Sequence, residues 1–224
     1  MSNTEGFCNV ALDLNESDMN CVNNNNNNNI NNNVSKNMKD LAVYVKNVNF
    51  EYRRNHKVLN NISMQVPRGK IFALLGPNGT GKTTFIRTIL GQLKCKSGTI
   101  RVFGVRSGSK YSDIPGPGVG YMPQELALFE EFTIGEILSY YGTIYHLYGN
   151  DMQQRIDALI QLLNLPEKTR LISQLSGGQM RRVSIAITMI HKPKLIILDE
   201  PTVGVDSLLR RRIWDHLEDI CVNF

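Results

Sequence analysis

The stretch IFALLGPNGTGKTTFIRTIL (71–90) decides how this chain folds. Its first five residues are wholly apolar and end at a glycine, which reads as a short buried strand. From Lys82 onward the apolar residues recur at helical spacing. Between the two lies G-x-x-x-x-G-K-[ST], a loop in which Gly76, Gly79 and Gly81 let the backbone curl. Successive N–H groups then point inward, and the following helix adds the positive end of its dipole, so the loop is a ready-made cradle for phosphate oxygens. Lys82 is placed to reach β- and γ-phosphates, and the Thr83 hydroxyl suits Mg²⁺. The whole run of Gly76, Pro77, Asn78, Gly79, Thr80, Gly81, Lys82, Thr83 and Thr84 is therefore expected to line a nucleoside triphosphate site.

A second apolar run, LIIL (195–198), delivers Asp199 and Glu200 at its end. In a fold built on such a loop, an acid at a strand tip faces the Mg²⁺ beside the phosphates, and Asp199 takes that role. Glu200, one position on, is the candidate general base that polarises an attacking water.

Composition bounds the rest. The chain has 224 residues, enough for one sizeable domain with a small subdomain. Residues 1–38 hold fifteen Asn, seven of them in an unbroken run from Asn23 to Asn29, and Phe7 is their only aromatic. That tail carries too little apolar surface to offset backbone ordering, so it is expected to be disordered. The remainder, 39–224, has 24 basic and 16 acidic residues, a net of +8 against +5 for the chain. A basic body suits a phosphate-rich ligand or an anionic membrane face. Cys8, Cys21, Cys95 and Cys221 form no CxxC pair, which fits reduced thiols in a cytosolic setting. There is no signal-peptide pattern at the N-terminus, and no stretch approaches the ~18–20 consecutive apolar residues of a membrane span.

Along the chain, LAVYVKNVNFEY (41–52) and VLNNISMQV (58–66) read as strands separated by a turn at RRNHK (53–57). SGTIRVFG (97–104) and VGYMPQ (119–124) follow as further strands. Residues 133–148 and 151–164 have helical spacing, with Thr133 and Asp151 as caps. SGGQMRRVSIAITMIHK (176–192) is a helix before LIIL, and DSLLRRRIWDHLEDI (206–220) is a last amphipathic one. This order points to an α/β domain with helices on both faces of a sheet.

LSGGQ (175–179) opens a helix, and Asp199 lies 23 residues beyond Ser176. Together with the glycine loop and the acid pair, in this order, it resembles the nucleotide-binding domain of an ABC ATPase over residues 41–224. The resemblance implies a P-loop NTPase fold with a RecA-like core, an N-terminal antiparallel β subdomain and a helical subdomain at 125–165. It implies ATP and Mg²⁺ as ligands, Tyr52 stacking on adenine, and Gln124 touching Mg²⁺ and sensing the γ-phosphate. Ser176, Gly177, Gly178 and Gln179 would contact the triphosphate bound by a second cassette in a head-to-tail dimer. Gly204-Val205-Asp206 would cross between the two sites and cap the last helix.

PTVGVDSLLRRRIWD and MPQELALFEEFTIGEILSYYG further resemble exporter-type cassettes of the G, H and A subfamilies and of bacterial drug exporters. The resemblance thus implies an ATP-hydrolysing motor at the cytoplasmic face of a membrane. It would be a soluble chain held there by a transmembrane domain it does not itself carry, with no nucleic acid partner. The exported substrate, a lipid or hydrophobic compound among the candidates, contacts the membrane domain. Phe129, Phe132, Tyr140, Tyr141, Tyr145 and Tyr148 either meet that membrane partner or pack the helical subdomain. Arg210, Arg211 and Arg212 either meet anionic lipid or form a solvated helix face.

The family's domain continues beyond the helix that follows the acid pair, into a strand carrying a γ-phosphate histidine. His216 lies too near Glu200 to substitute, and His56, His146 and His191 sit in other segments. The missing strand would lie between IFALL and LIIL, so its loss is expected to leave two buried strand edges unpaired and turnover poor. The alternatives are a non-hydrolysing cassette that binds nucleotide or a partner, and a soluble ABC ATPase.

Overall fold

The computed structural model describes residues 9–13, 40–53, 56–201 and 205–222. In chain order the elements are β1 (Asn9–Asp13), β2 (Leu41–Arg53), β3 (His56–Pro67), β4 (Ile71–Leu74), α1 (Lys82–Ile89), β5 (Ser97–Val102), β6 (Val105–Arg106) and β7 (Val119–Met122). They continue with α2 (Ile134–Ile144), α3 (Gly149–Leu162), α4 (Gly177–Met189), β8 (Leu195–Asp199) and α5 (Ser207–Val222).

Two sheets form. One is antiparallel in the order β3-β2-β5-β6, and the other is parallel in the order β4-β1-β8-β7. In the first, valines and aromatics alternating along β2 supply Val43, Val45, Val48 and Phe50 to a core shared with Phe85, Ile86 and Ile89 of α1. In the parallel sheet, β8 is buried on both faces, which explains its unbroken apolar run. Leu195 and Ile197 join the core under α1, whereas Ile196 and Leu198 join a second core built by α2 to α5.

The parallel sheet corrects the sequence reading at one point. Within the tail read as disordered, Asn9–Asp13 is a strand lying between β4 and β8 and parallel to both. Val10 pairs with Ile71 and Ile196, and Asp13 pairs with Leu74 and Asp199. The slot expected to leave two unpaired edges is filled by this segment. The rest of the tail, 1–8 and 14–38, lies outside the described residues. An Asn-rich composition argues against ordering on average, but five residues of backbone hydrogen bonding to two neighbours outweigh that average locally.

Helix starts follow local chemistry. Thr133 caps α2 through a capping box: its Oγ1 accepts from Glu136 N at 3.2 Å, and Glu136 Oε2 accepts from Thr133 N at 2.8 Å. Asp151 does not cap α3. The N-cap is Tyr148, and Asp151 lies in the first turn, where its charge still complements the helix dipole. Helix α4 approaches β7 so closely that a Cβ on Gly120 would stand 2.2 Å from Thr188 O. Only glycine permits that contact.

At the foot of α4, His191 stacks on Tyr145 with centroids 3.7 Å apart and planes 8° off parallel. His191 Nε2 donates to Val119 O at 3.2 Å, while Nδ1 is buried without a hydrogen-bond partner among the described residues. Burial, with help from the Arg155 guanidinium, pulls the imidazole down to about 4 from its usual value near 6.5. A proton on Nδ1 would find no acceptor, so the unfolded chain takes up that proton before the folded one does. Stability from this site is therefore present above pH ~6.5 and is lost as pH falls toward about 4. Denaturant titrations at several pH values check this: His191→Phe is expected to flatten that part of the profile.

Candidate functional site

Strand β4 ends at Leu74, and the chain then turns through the glycine loop into α1. The loop is braced from within. Thr80 Oγ1 donates to Pro77 O at 2.9 Å, and Lys82 Nζ donates to Gly76 O at 2.6 Å and to Pro77 O at 3.4 Å. Gly81 takes the left-handed conformation with φ 92° and forms the N-cap of α1 without a side-chain cap. The N-terminal end of α1 carries the positive end of the helix dipole at the loop, the electrostatics that attract a phosphate. A Cβ on Gly81 would also stand 2.8 Å from Val58 Cγ1, so this glycine seats the loop directly against β3.

Around the loop opens a cleft of about 450 Å³. The loop contributes Asn78, Gly79, Gly81, Lys82, Thr83 and Thr84, and the strand ends contribute Gln124 and Glu200. Tyr52 closes one side. The residue is 54% exposed, its ring packs edge-on against Phe50 at 4.9 Å, and its hydroxyl lies 3.1 Å from Thr84 Oγ1. A half-exposed ring tethered at its hydroxyl offers a stacking face to a planar ligand. His56 also lines the cleft. The sequence placed it in an unrelated segment, but the β2–β3 hairpin pairs Arg53 with His56 and folds it back over the loop. The hairpin register carries that information, and it is not legible from composition.

Asp199, at the tip of β8, is 1% exposed. Its Oδ2 accepts from Thr83 Oγ1 at 3.1 Å, and its Oδ1 is buried with no hydrogen-bond partner among the described residues. A buried carboxylate oxygen of that kind, beside a hydroxyl and a phosphate cradle, fits a divalent cation with oxygen ligands. Thr83, Asp199 and Gln124 are the residues that would hold Mg²⁺. Glu200 follows in the left-handed region with φ 51°, a conformation that costs a non-glycine residue energy and is typical of functional turns.

The residues Ser176, Gly177, Gly178 and Gln179 do not line this cleft. They form the first turn of α4, where Ser176 Oγ accepts from Gln179 N at 3.3 Å and Gln179 Oε1 accepts from Ser176 N at 2.9 Å. Asp206 caps α5, accepting from Leu209 N at 2.9 Å, and Gly204 lies outside the described residues.

Of the aromatics at 125–165, Phe129 and Tyr140 are 47% and 46% exposed and pack edge-on at 6.1 Å. Phe132, Tyr141 and Tyr145 pack against the helical core instead. Among the described residues no helix is long and apolar enough to cross a membrane.

Comparison with known proteins agrees with this geometry. A family model described as ABC transporter matches residues 59–203. ABC transporter G family member 23 of Dictyostelium discoideum is 44% identical over 83% of this chain and 26% of its own length. The Nod factor export ATP-binding protein I of Sinorhizobium fredii is 35% identical over 84% of this chain and 54% of its own. The chain thus spans about a quarter to a half of the curated relatives named here. A solved ATP-binding cassette, in a dimeric post-hydrolysis state bound to ADP and Pi, superposes with a TM-score of 0.71 at 25% identity, covering 80% of this chain and 82% of the other.

Proposed function

Because the chain belongs to the ABC transporter family, we propose that it is the ATP-binding and ATP-hydrolysing cassette of an exporter-type transporter. The observation that carries this reading is the Thr83–Asp199 contact with its orphaned carboxylate oxygen, made by a threonine that lines the cleft together with Lys82, Gln124 and Glu200. In this assignment Tyr52 stacks on adenine. The curled loop from Gly76 to Thr84 grips the phosphates with its N–H groups, and Lys82 turns from its own loop carbonyls to the β- and γ-oxygens. Mg²⁺, held by Thr83, Asp199 and Gln124, would neutralise phosphate charge when bound. Glu200 accepts the proton of the attacking water, and Gln124 orients it.

A second cassette closes over the γ-phosphate with Ser176, Gly177, Gly178 and Gln179, and Asp206 lies at the crossing between the two sites. Losing the γ-phosphate removes the shared ligand and reopens the pair. The exposed Phe129 and Tyr140 face offers apolar area to the transmembrane partner that carries this motion to the substrate path. The exporting relatives support that direction of transport.

A second reading, binding without turnover, draws on β1. It holds the sheet position that the family's histidine-bearing strand is expected to occupy. Calorimetry with Mg·ATP followed by single-turnover hydrolysis with the chain in excess separates the two. The first reading expects binding and slow hydrolysis that Glu200→Gln removes, with affinity retained. Binding with no hydrolysis supports the second, and a folded chain that ignores Mg·ATP overturns both.

A further inference from the structure

Two adjacent arginines follow the first turn of α4, and both guanidinium groups are directed at backbone carbonyls. Arg182 donates through Nη1 to Leu163 O at 3.0 Å, past the end of α3, and through Nε to Gly178 O at 3.3 Å. Arg181 is 7% exposed and donates through Nη1 to Gln124 O at 2.6 Å. A buried charge is retained only where its partners compensate for desolvation. Here Glu200 and Asp199 supply the opposing field that offsets the loss of solvation.

We infer that Arg181 is a positioning residue that pins the loop carrying Gln124 to the helix opened by Ser176. The proposal rests on the assignment of Gln124 to the nucleotide site. Gln124 follows β7 by two residues and makes no side-chain hydrogen bond of its own among the described residues that would fix its direction. The charge-assisted bond to its carbonyl fixes the backbone from which the side chain enters the cleft. Because the same guanidinium belongs to α4, a movement of Gln124 toward a bound γ-phosphate displaces the N-terminus that would touch the other cassette's nucleotide. The neighbouring Arg182 ties that helix to the end of α3, so the Gln124 loop, the first turn of α4 and the helical subdomain move as one body.

The test has two arms. In the nucleotide-free chain, the side-chain amide resonance of Gln124, assigned by its loss in Gln124→Ala, is expected to shift and broaden in Arg181→Met. It should return toward the original position in Arg181→Lys, which keeps the charge and one donor. Other glutamine resonances report the fold and should stay in place. In the binding arm, Arg181→Met is expected to weaken Mg·ATP about tenfold. The double variant with Gln124→Ala should lose no more than the worse single variant, the signature of a shared interaction. An unmoved Gln124 resonance in folded Arg181→Met, or losses that simply add, overturns the inference. If Arg181→Met does not fold, the same comparison is made with Arg181→Gln, which also removes the charge, and a Gln124 resonance left unshifted and unbroadened there is the overturning result. If the unaltered chain ignores Mg·ATP, the ATP assignment falls, and the resonance arm still decides whether Arg181 positions Gln124.

Discussion

Asp199→Asn is expected to fold and to bind ATP equally well with and without Mg²⁺, whereas the unaltered chain prefers Mg·ATP by about a hundredfold. The amide has nearly the carboxylate's shape and keeps an oxygen for the Thr83 hydroxyl. What it loses is the negative charge, and with it the reason for a divalent ion to reside at the tip of β8. Burial sharpens the effect, because at 1% exposure water does not screen the site. The orphaned Oδ1 makes the prediction specific: an acid present only for the Thr83 contact would need one oxygen. Calorimetric titration with ATP in Mg²⁺ and in chelator measures both affinities. A retained Mg²⁺ preference in the variant would remove Asp199 from the metal site.

Ala11→Pro is expected to cost about 3 kcal/mol or more of folding stability, or to abolish a cooperative transition. Ala11 pairs with Phe72 on one side and Ile197 on the other, so it sits mid-strand in the interior of the parallel sheet. Proline there removes an N–H from the ladder and forces its ring against a neighbouring strand. Since a domain's whole margin is about 5–15 kcal/mol, the loss is readily seen in urea melts. A melting midpoint left in place by Ala11→Pro would mean that β1 contributes nothing to the sheet in solution.

Much of the site was legible in the sequence because its chemistry is local. A glycine loop between a buried strand and a helix needs no tertiary information, and neither does a capping box at Thr133 or at Ser176. The acid pair was legible for a related reason: LIIL is apolar on both faces, so its polar tip had to emerge at the carboxyl end of an interior strand. What sequence reasoning missed depends on chain segments meeting across the fold. Composition hid β1, because five residues of NVALD are diluted among asparagines. His56 reaches the cleft through a hairpin register, and Arg181 reads as one more cation on a helix until its carbonyl partner is seen. Gly120 shows no turn signal, since its role is to let Thr188 O approach. Asp151 failed as a cap by three residues, because the helix begins earlier, at Gly149.

The alternation along β8 bears on how the molecule comes apart. Because Leu195 and Ile197 serve one apolar cluster and Ile196 and Leu198 the other, neither cluster can open to solvent without exposing the strand that anchors its counterpart. The described body should therefore melt as a single cooperative unit, and amide exchange at Ile196 and Ile197 should report global unfolding, however freely the outer helices breathe.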